Sequence, residues 1–131
     1  MCETDLKTEA GKARSVFDKH ATETSDLFKA FPRGSCGNAS LLLGNWLTRC
    51  GFKNIQVVLA KKEEGPSHSW LIVGGYIVDI TADQFEEQGY GLYPLNSEYH
   101  AAFSEQEEGS LDLGISLEEP YEIFSRFMED A

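Results

Sequence analysis

The chain has 131 residues, of which 41% are hydrophobic and 11% aromatic, enough to fill one core, and residues 1–131 read as a single domain. No apolar run approaches the ~20 residues that cross a bilayer, and the acidic, polar start "MCETDLKTEAGK" lacks the basic-then-apolar order of a signal peptide. The net charge of −11 arises after residue 81, where 13 acidic residues face one basic residue; such a surface repels phosphate backbones and anionic membranes, so neither nucleic acid nor membrane is expected as a partner. The expected location is the cytoplasm, or secretion as an effector without a cleavable signal peptide. Three cysteines, Cys2, Cys36 and Cys50, are few and odd in number, and read as reduced thiols rather than a disulfide framework. No CxxC or HxxxH pair points to zinc, and no metal or cofactor is expected.

Residues 3–31 are rich in helix formers, with Leu6, Ala10, Ala13, Val16 and Phe17 and then Leu27, Phe28 and Phe31 at helical spacing, which predicts two helices with a break near Thr22. "FPRGS" stops them, because Pro32 restricts Phe31 and Gly34 frees the chain. A new helix follows, with Ser35 as N-cap, a stripe of Ala39, Leu42, Leu43, Trp46, Leu47 and Cys50, and Gly51 as a left-handed stop. Cys36 falls in its first turn, at the edge of the buried stripe. "NIQVVLA" (54–60) reads as a strand and "KKEEGPS" as a charged loop. Residues 82–115, with scattered glycines and little apolar periodicity, read as irregular, and a Ser116-x-x-Glu119 capping box opens a last amphipathic helix.

The stretch "HSWLIVGGYIVDIT" (68–81) reads as a hairpin, since Gly74-Gly75 supplies the two positive φ values of a tight turn. Pairs then sum to 149, and side-chain alternation puts His68, Trp70, Ile77, Asp79 and Thr81 on one face. Asp79 lies diagonal to His68, ~7 Å away at Cβ, within reach of an imidazole–carboxylate hydrogen bond. A cysteine at a helix N-terminus, a histidine at a strand start and an aspartate on the paired strand supply a nucleophile, a base and an orienter. The helix terminus and a nearby imidazolium both favour thiolate over thiol. Trp70 is expected to shield this triad. His20 and His100 read as surface residues, and the tyrosines of "QGYGLYPL" as lining for a substrate cleft.

The segment "SCGNASLLLGNWLTRCGF…HSWLIVGGYIVDIT" resembles the core of the transglutaminase-like, papain-like superfamily, in which Cys opens a helix, His-x-Trp opens a strand and Asp follows on the next strand. The match spans residues 33–85, about two fifths of the chain. It implies an α+β fold, with N-terminal helices and a nucleophile-bearing helix packed on a small antiparallel sheet, and assigns catalysis to Cys36, His68 and Asp79. The arylamine N-acetyltransferases are similar in order too, through "PRGSC" and "YIVD". Ala30 stands where papain-like proteases often place an oxyanion-binding glutamine, and Gly37 where Trp is common. The oxyanion hole then rests on the Cys36 backbone N–H and a second donor, for which Asn38 and Gln84 are candidates.

The resemblance implies a cysteine-dependent hydrolase or acyl transferase of the peptidase, amidase or glutamine-deamidase type, working through a thioester on a protein, peptide or small amide or acyl substrate. The rival reading is a non-catalytic, immunity-type module whose acidic second half binds a basic partner protein. Composition leaves the oligomeric state open.

Overall fold

Asp5 opens the first helix by accepting the Thr8 backbone N–H on its carboxylate, and α1 runs Leu6–Thr24. The expected break is a single non-helical residue, His20, rather than an end. Ser25 then adopts an extended backbone and accepts the Leu27 N–H, and the chain continues into a 3₁₀ turn, Asp26–Phe28, too short for a second α-helix. The computed structural model describes residues 5–84 and 89–131.

Helix α2 (Cys36–Arg49) buries Ala39, Leu42, Leu43, Trp46 and Leu47 along the expected stripe, and Gly51 ends it at φ +98°. Ser35 precedes it, but its hydroxyl donates to the Arg33 carbonyl and does not cap the helix. Strands β1 (Gln56–Lys61), β2 (Ser67–Val73) and β3 (Tyr76–Asp79) come next. Gly74 and Gly75, at φ +57° and +84°, make the tight turn, and Val73 pairs with Tyr76, Ile72 with Ile77 and Leu71 with Val78.

The stretch expected to be irregular carries β4 (Gly91–Pro94), α3 (Glu98–Ala101) and β5 (Glu105–Gly109). These strands are edges. β5, "EQEEG", has no apolar alternation and takes its form from pairing with β1, from Lys61 opposite Glu105 to Val57 opposite Gly109. Its glutamates keep that edge from pairing with other chains. Helix α4 (Gly114–Asp130) starts ahead of the expected cap: Asp112 accepts the Gly114 N–H, and the Ser116–Glu119 box does not form.

Among the described residues the fold is therefore mixed α+β, with four α-helices and a five-stranded antiparallel sheet in the order β4-β3-β2-β1-β5. One sheet face (Val57, Leu71, Val73, Val78) packs with Ala13, Phe17, Leu43, Trp46 and Phe124 in the main core. The other face carries a smaller aromatic cluster of Val58, Ala60, Trp70, Ile77 and Phe103, with Tyr93 and Tyr99 against it. Topology explains the second cluster. The chain leaves β4 at one edge and enters β5 at the other, four strand spacings of ~4.8 Å apart, so residues 95–104 cross this face and roof it.

Among the described residues no helix is long and apolar enough to cross a membrane. Cys50, buried at the end of α2, is disulfide-bonded, and Cys36 is the free cysteine among those residues. This corrects the expectation of three reduced thiols: an odd count argues against a framework of bridges, yet it permits one bond and one free thiol.

Candidate active site

Three elements bring the site together. The hairpin turn sets the β2–β3 register, which places His68 and Asp79 on the aromatic face, and Asp79 Oδ2 lies 2.7 Å from His68 Nε2. Both side chains are buried. Helix α2 packs on the opposite face, and its first residue reaches the end of the sheet, where Cys36 comes under the electrostatic influence of His68 and of the backbone N–H groups of Ser69 and Gly37. Since Nε2 of His68 is engaged by Asp79, Nδ1 is the nitrogen left for Cys36 and for the Gln84 carboxamide.

The charges follow from these contacts. Burial works against a thiolate at Cys36, but His68 and the two backbone N–H groups outweigh it and hold the thiol below its ordinary value. Burial likewise opposes a charged His68, yet hydrogen bonds to Asp79 and then Cys36 raise its pKa to about 9. At Asp79 burial is overcome by hydrogen bonds from His100 and His68, so the carboxyl is held below its usual range. These directions together favour a thiolate beside an imidazolium and a carboxylate. A thiolate beside an imidazolium is ready to attack an electrophilic carbon.

Gln84 also belongs to the site. Its carboxamide nitrogen lies 3.2 Å from His68 Nδ1. With the imidazole neutral the amide donates there; with it protonated two donors would face each other, and the contact requires the amide oxygen instead. Gln84 is held by its neighbour: Arg14 on α1 grips Asp83 in a two-pronged ion pair (2.6 and 2.7 Å) and donates to the Ile80 carbonyl at 2.8 Å. Arg14→Leu should therefore cost about 2–3 kcal/mol in urea unfolding, below the full penalty of a broken buried pair because Asp83 keeps some solvent. Asn38 is half-buried in the first turn of α2, and among the described residues no hydrogen bond ties it to His68 or Asp79. Trp70 packs beside His68, ring centroids 5.6 Å apart, and is buried.

His100 corrects a sequence reading. Expected at the surface, it is buried, with Nε2 2.8 Å from the same Asp79 Oδ2 that His68 uses. Thr81 donates its backbone N–H to the other oxygen at 3.2 Å. Ser97 Oγ lies 2.8 Å from His100 Nδ1. Tyr93, expected in a substrate cleft, packs edge-on against His100 and donates its hydroxyl to the Gly89 carbonyl. Tyr90 sits over the Arg14 guanidinium at 4.4 Å, and Gln88 of the same stretch lies outside the described residues. His20 is partly exposed as expected, stacked on Phe127. Among the described residues no group of acidic, histidine and cysteine side chains is arranged to hold a metal ion. Compared with known proteins, the chain matches no family model, no curated protein and no solved structure.

Proposed function

We propose that the protein is a cysteine-dependent hydrolase or acyl transferase acting on an amide bond, with a papain-like, transglutaminase-like arrangement of α2 against the sheet. The observation that carries this reading is a free thiol, Cys36, in the first turn of α2, beside the buried His68–Asp79 pair at 2.7 Å. In this reading the Cys36 thiolate attacks the carbonyl carbon and the carbonyl electron pair moves to oxygen. As the oxyanion collapses, the C–N bond breaks and His68 Nδ1–H gives its proton to the departing nitrogen, leaving a thioester on Cys36. Water or an amine then attacks the thioester carbonyl, His68 takes the proton from that nucleophile, and the thiolate leaves. The Cys36 backbone N–H, which opens α2 and has no intrahelical acceptor, is one oxyanion donor. Gln84 is the better second donor than Asn38, because it stands beside His68 Nδ1.

Hydrolysis, deamidation and amine transfer share the thioester, so its capture is the test. A peptide panel with glutamine side chains and activated esters should leave an acyl mass on the Cys36 peptide after acid quench, and released ammonia, cleaved peptide or incorporated amine should then identify the reaction. Recovery of unmodified Cys36 from every substrate, together with ordinary thiol reactivity, would overturn the reading.

The pH dependence follows from the two shifts. Cys36 stays ionised as pH falls until its lowered value is reached, and His68 stays charged as pH rises until about 9. The ion pair thus exists between those limits and titrates as a pair. At neutral pH iodoacetamide should label Cys36 faster than an ordinary thiol, with a second step in the rate near pH 9. Cys50, in its disulfide, should stay unlabelled without reductant. By the same signs, the stability lent by charged His68 is full below its unfolded value and lost as pH rises through about 9.

A further inference from the structure

Asp79 does not serve His68 alone. Its Oδ2 is shared by two imidazoles, His68 Nε2 at 2.7 Å and His100 Nε2 at 2.8 Å, while Oδ1 receives the Thr81 N–H. The ring proton of His100 is placed by Asp79, since a carboxylate only accepts. Ser97 Oγ accepts the His100 backbone N–H at 3.3 Å and lies 2.8 Å from His100 Nδ1, to which its own proton is available when the imidazole is neutral. With Nδ1 accepting, the ring proton of the neutral imidazole stands on Nε2, facing the carboxylate. The ring itself is held by the edges and faces of Trp70, Tyr93 and Tyr99, with centroids 4.6, 4.6 and 4.9 Å away.

We propose that His100 is a positioning residue of the Cys36–His68–Asp79 site: as a second donor on Asp79 it fixes the carboxylate and disperses its charge, so that Asp79 orients His68 without holding its proton too tightly. This rests on the catalytic reading above. A carboxylate with one imidazole partner in an apolar pocket would bind its proton-bearing neighbour more firmly, and a firmly held proton is a poor one to give to a leaving amine. Two donors on one oxygen reduce that pull. Ser97 strengthens the effect, since donation to Nδ1 makes Nε2–H a better donor.

The other titratable or charged groups around His100 do not imitate it. Tyr93 on β4 and Tyr99 on α3 both have hydroxyls pushed above their ordinary value by burial and then by Asp79, so both stay neutral through the range that matters. Lys62 lies beyond Phe103, 4.9 Å over that ring. Asp79 and, through it, His68 are the groups that His100 addresses.

The test is the iodoacetamide rate at Cys36 against pH, which needs no substrate. In the parent, the upper step near 9 reads His68. His100→Phe, which fits the aromatic pocket but donates nothing, should move that step up by on the order of one pH unit. His100→Gln, whose terminal amide N–H falls near the position of Nε2, should bring it back toward the parent value. Ser97→Ala should move it in the same direction as His100→Phe but less, and should have no effect in the His100→Gln background. A purely structural His100 would lower the melting temperature while leaving the steps of His100→Phe and Ser97→Ala on the parent curve, and that result overturns the proposal. If His100→Phe fails to fold, Ser97→Ala decides by the same criterion. A parent profile with a single step at an ordinary thiol value would instead sink the catalytic reading, and the role of His100 with it.

Discussion

Cys36→Ser should reduce turnover by roughly 10⁴-fold or more while the protein stays folded. The substitution changes one atom, and the site around that atom is built for sulfur. A serine hydroxyl is not ionised at neutral pH by an imidazolium and two backbone N–H groups, whereas the same surroundings hold the thiol below its ordinary value and favour its thiolate. His68 loses its anionic partner in the variant, so its pKa should fall from about 9, because the Cys36 contribution that raised it is gone. Both effects are measurable on one sample: the acyl mass disappears from the residue 36 peptide, and the histidine ring titration moves down. Asp79 remains in place, so the histidine should stay above the value of a free imidazole. An unchanged turnover in this variant would remove Cys36 from the mechanism.

The hairpin is legible in the sequence because one local feature decides a non-local one. Gly74-Gly75 admits the tight turn, the turn sets the register, and a period of two then puts His68 and Asp79 on the same face. Cys36 is legible for a similar reason, since the stop at Pro32 and Gly34 and the stripe from Ala39 onward together locate the first helical turn. His100 lacks any such signal. "SEYHAAF" is short and polar at one end, and its burial comes from the sheet order, which forces the chain from β4 to β5 across the aromatic face. Strand order is a property of the whole molecule, and β5 shows why it is hidden: four of its five residues are charged or amide side chains, so its strand state is conferred by β1. Arg14 is hidden differently. It looks like one more polar residue on a helix, and its ion pair with Asp83 joins positions 69 apart in the chain. Gln84 and Asn38 stand as equal candidates in the sequence, and the contact with His68 Nδ1 is what separates them.

Asp79→Asn should lower turnover by about 10²–10⁴-fold with little change in substrate affinity. The argument lies in the donors around the carboxylate. Oδ2 receives the Nε2–H of His68 and of His100, and Oδ1 receives the Thr81 N–H. An asparagine has one acceptor oxygen for these two positions. If that oxygen faces the histidines, the amide N–H₂ meets the Thr81 N–H; if the side chain turns over, the N–H₂ meets both imidazoles. Either orientation leaves donors opposed in a buried place, a loss of about 1–3 kcal/mol in stability. With the N–H₂ toward Thr81, His68 stays aligned but its partner is neutral, so its pKa falls from about 9 and the Cys36 thiol rises with it. With the N–H₂ toward the histidines, the wrong tautomer is favoured, with Nε2 bare and Nδ1 carrying the proton. The iodoacetamide profile distinguishes the variant from a general loss of structure: the acid-side step at Cys36 should move upward and the step near 9 should move downward, so the two limits of the ion pair close on each other. Equal shifts of both steps in one direction, or none, would assign Asp79 a role in holding the sheet end through Thr81 and leave a two-residue Cys36–His68 site.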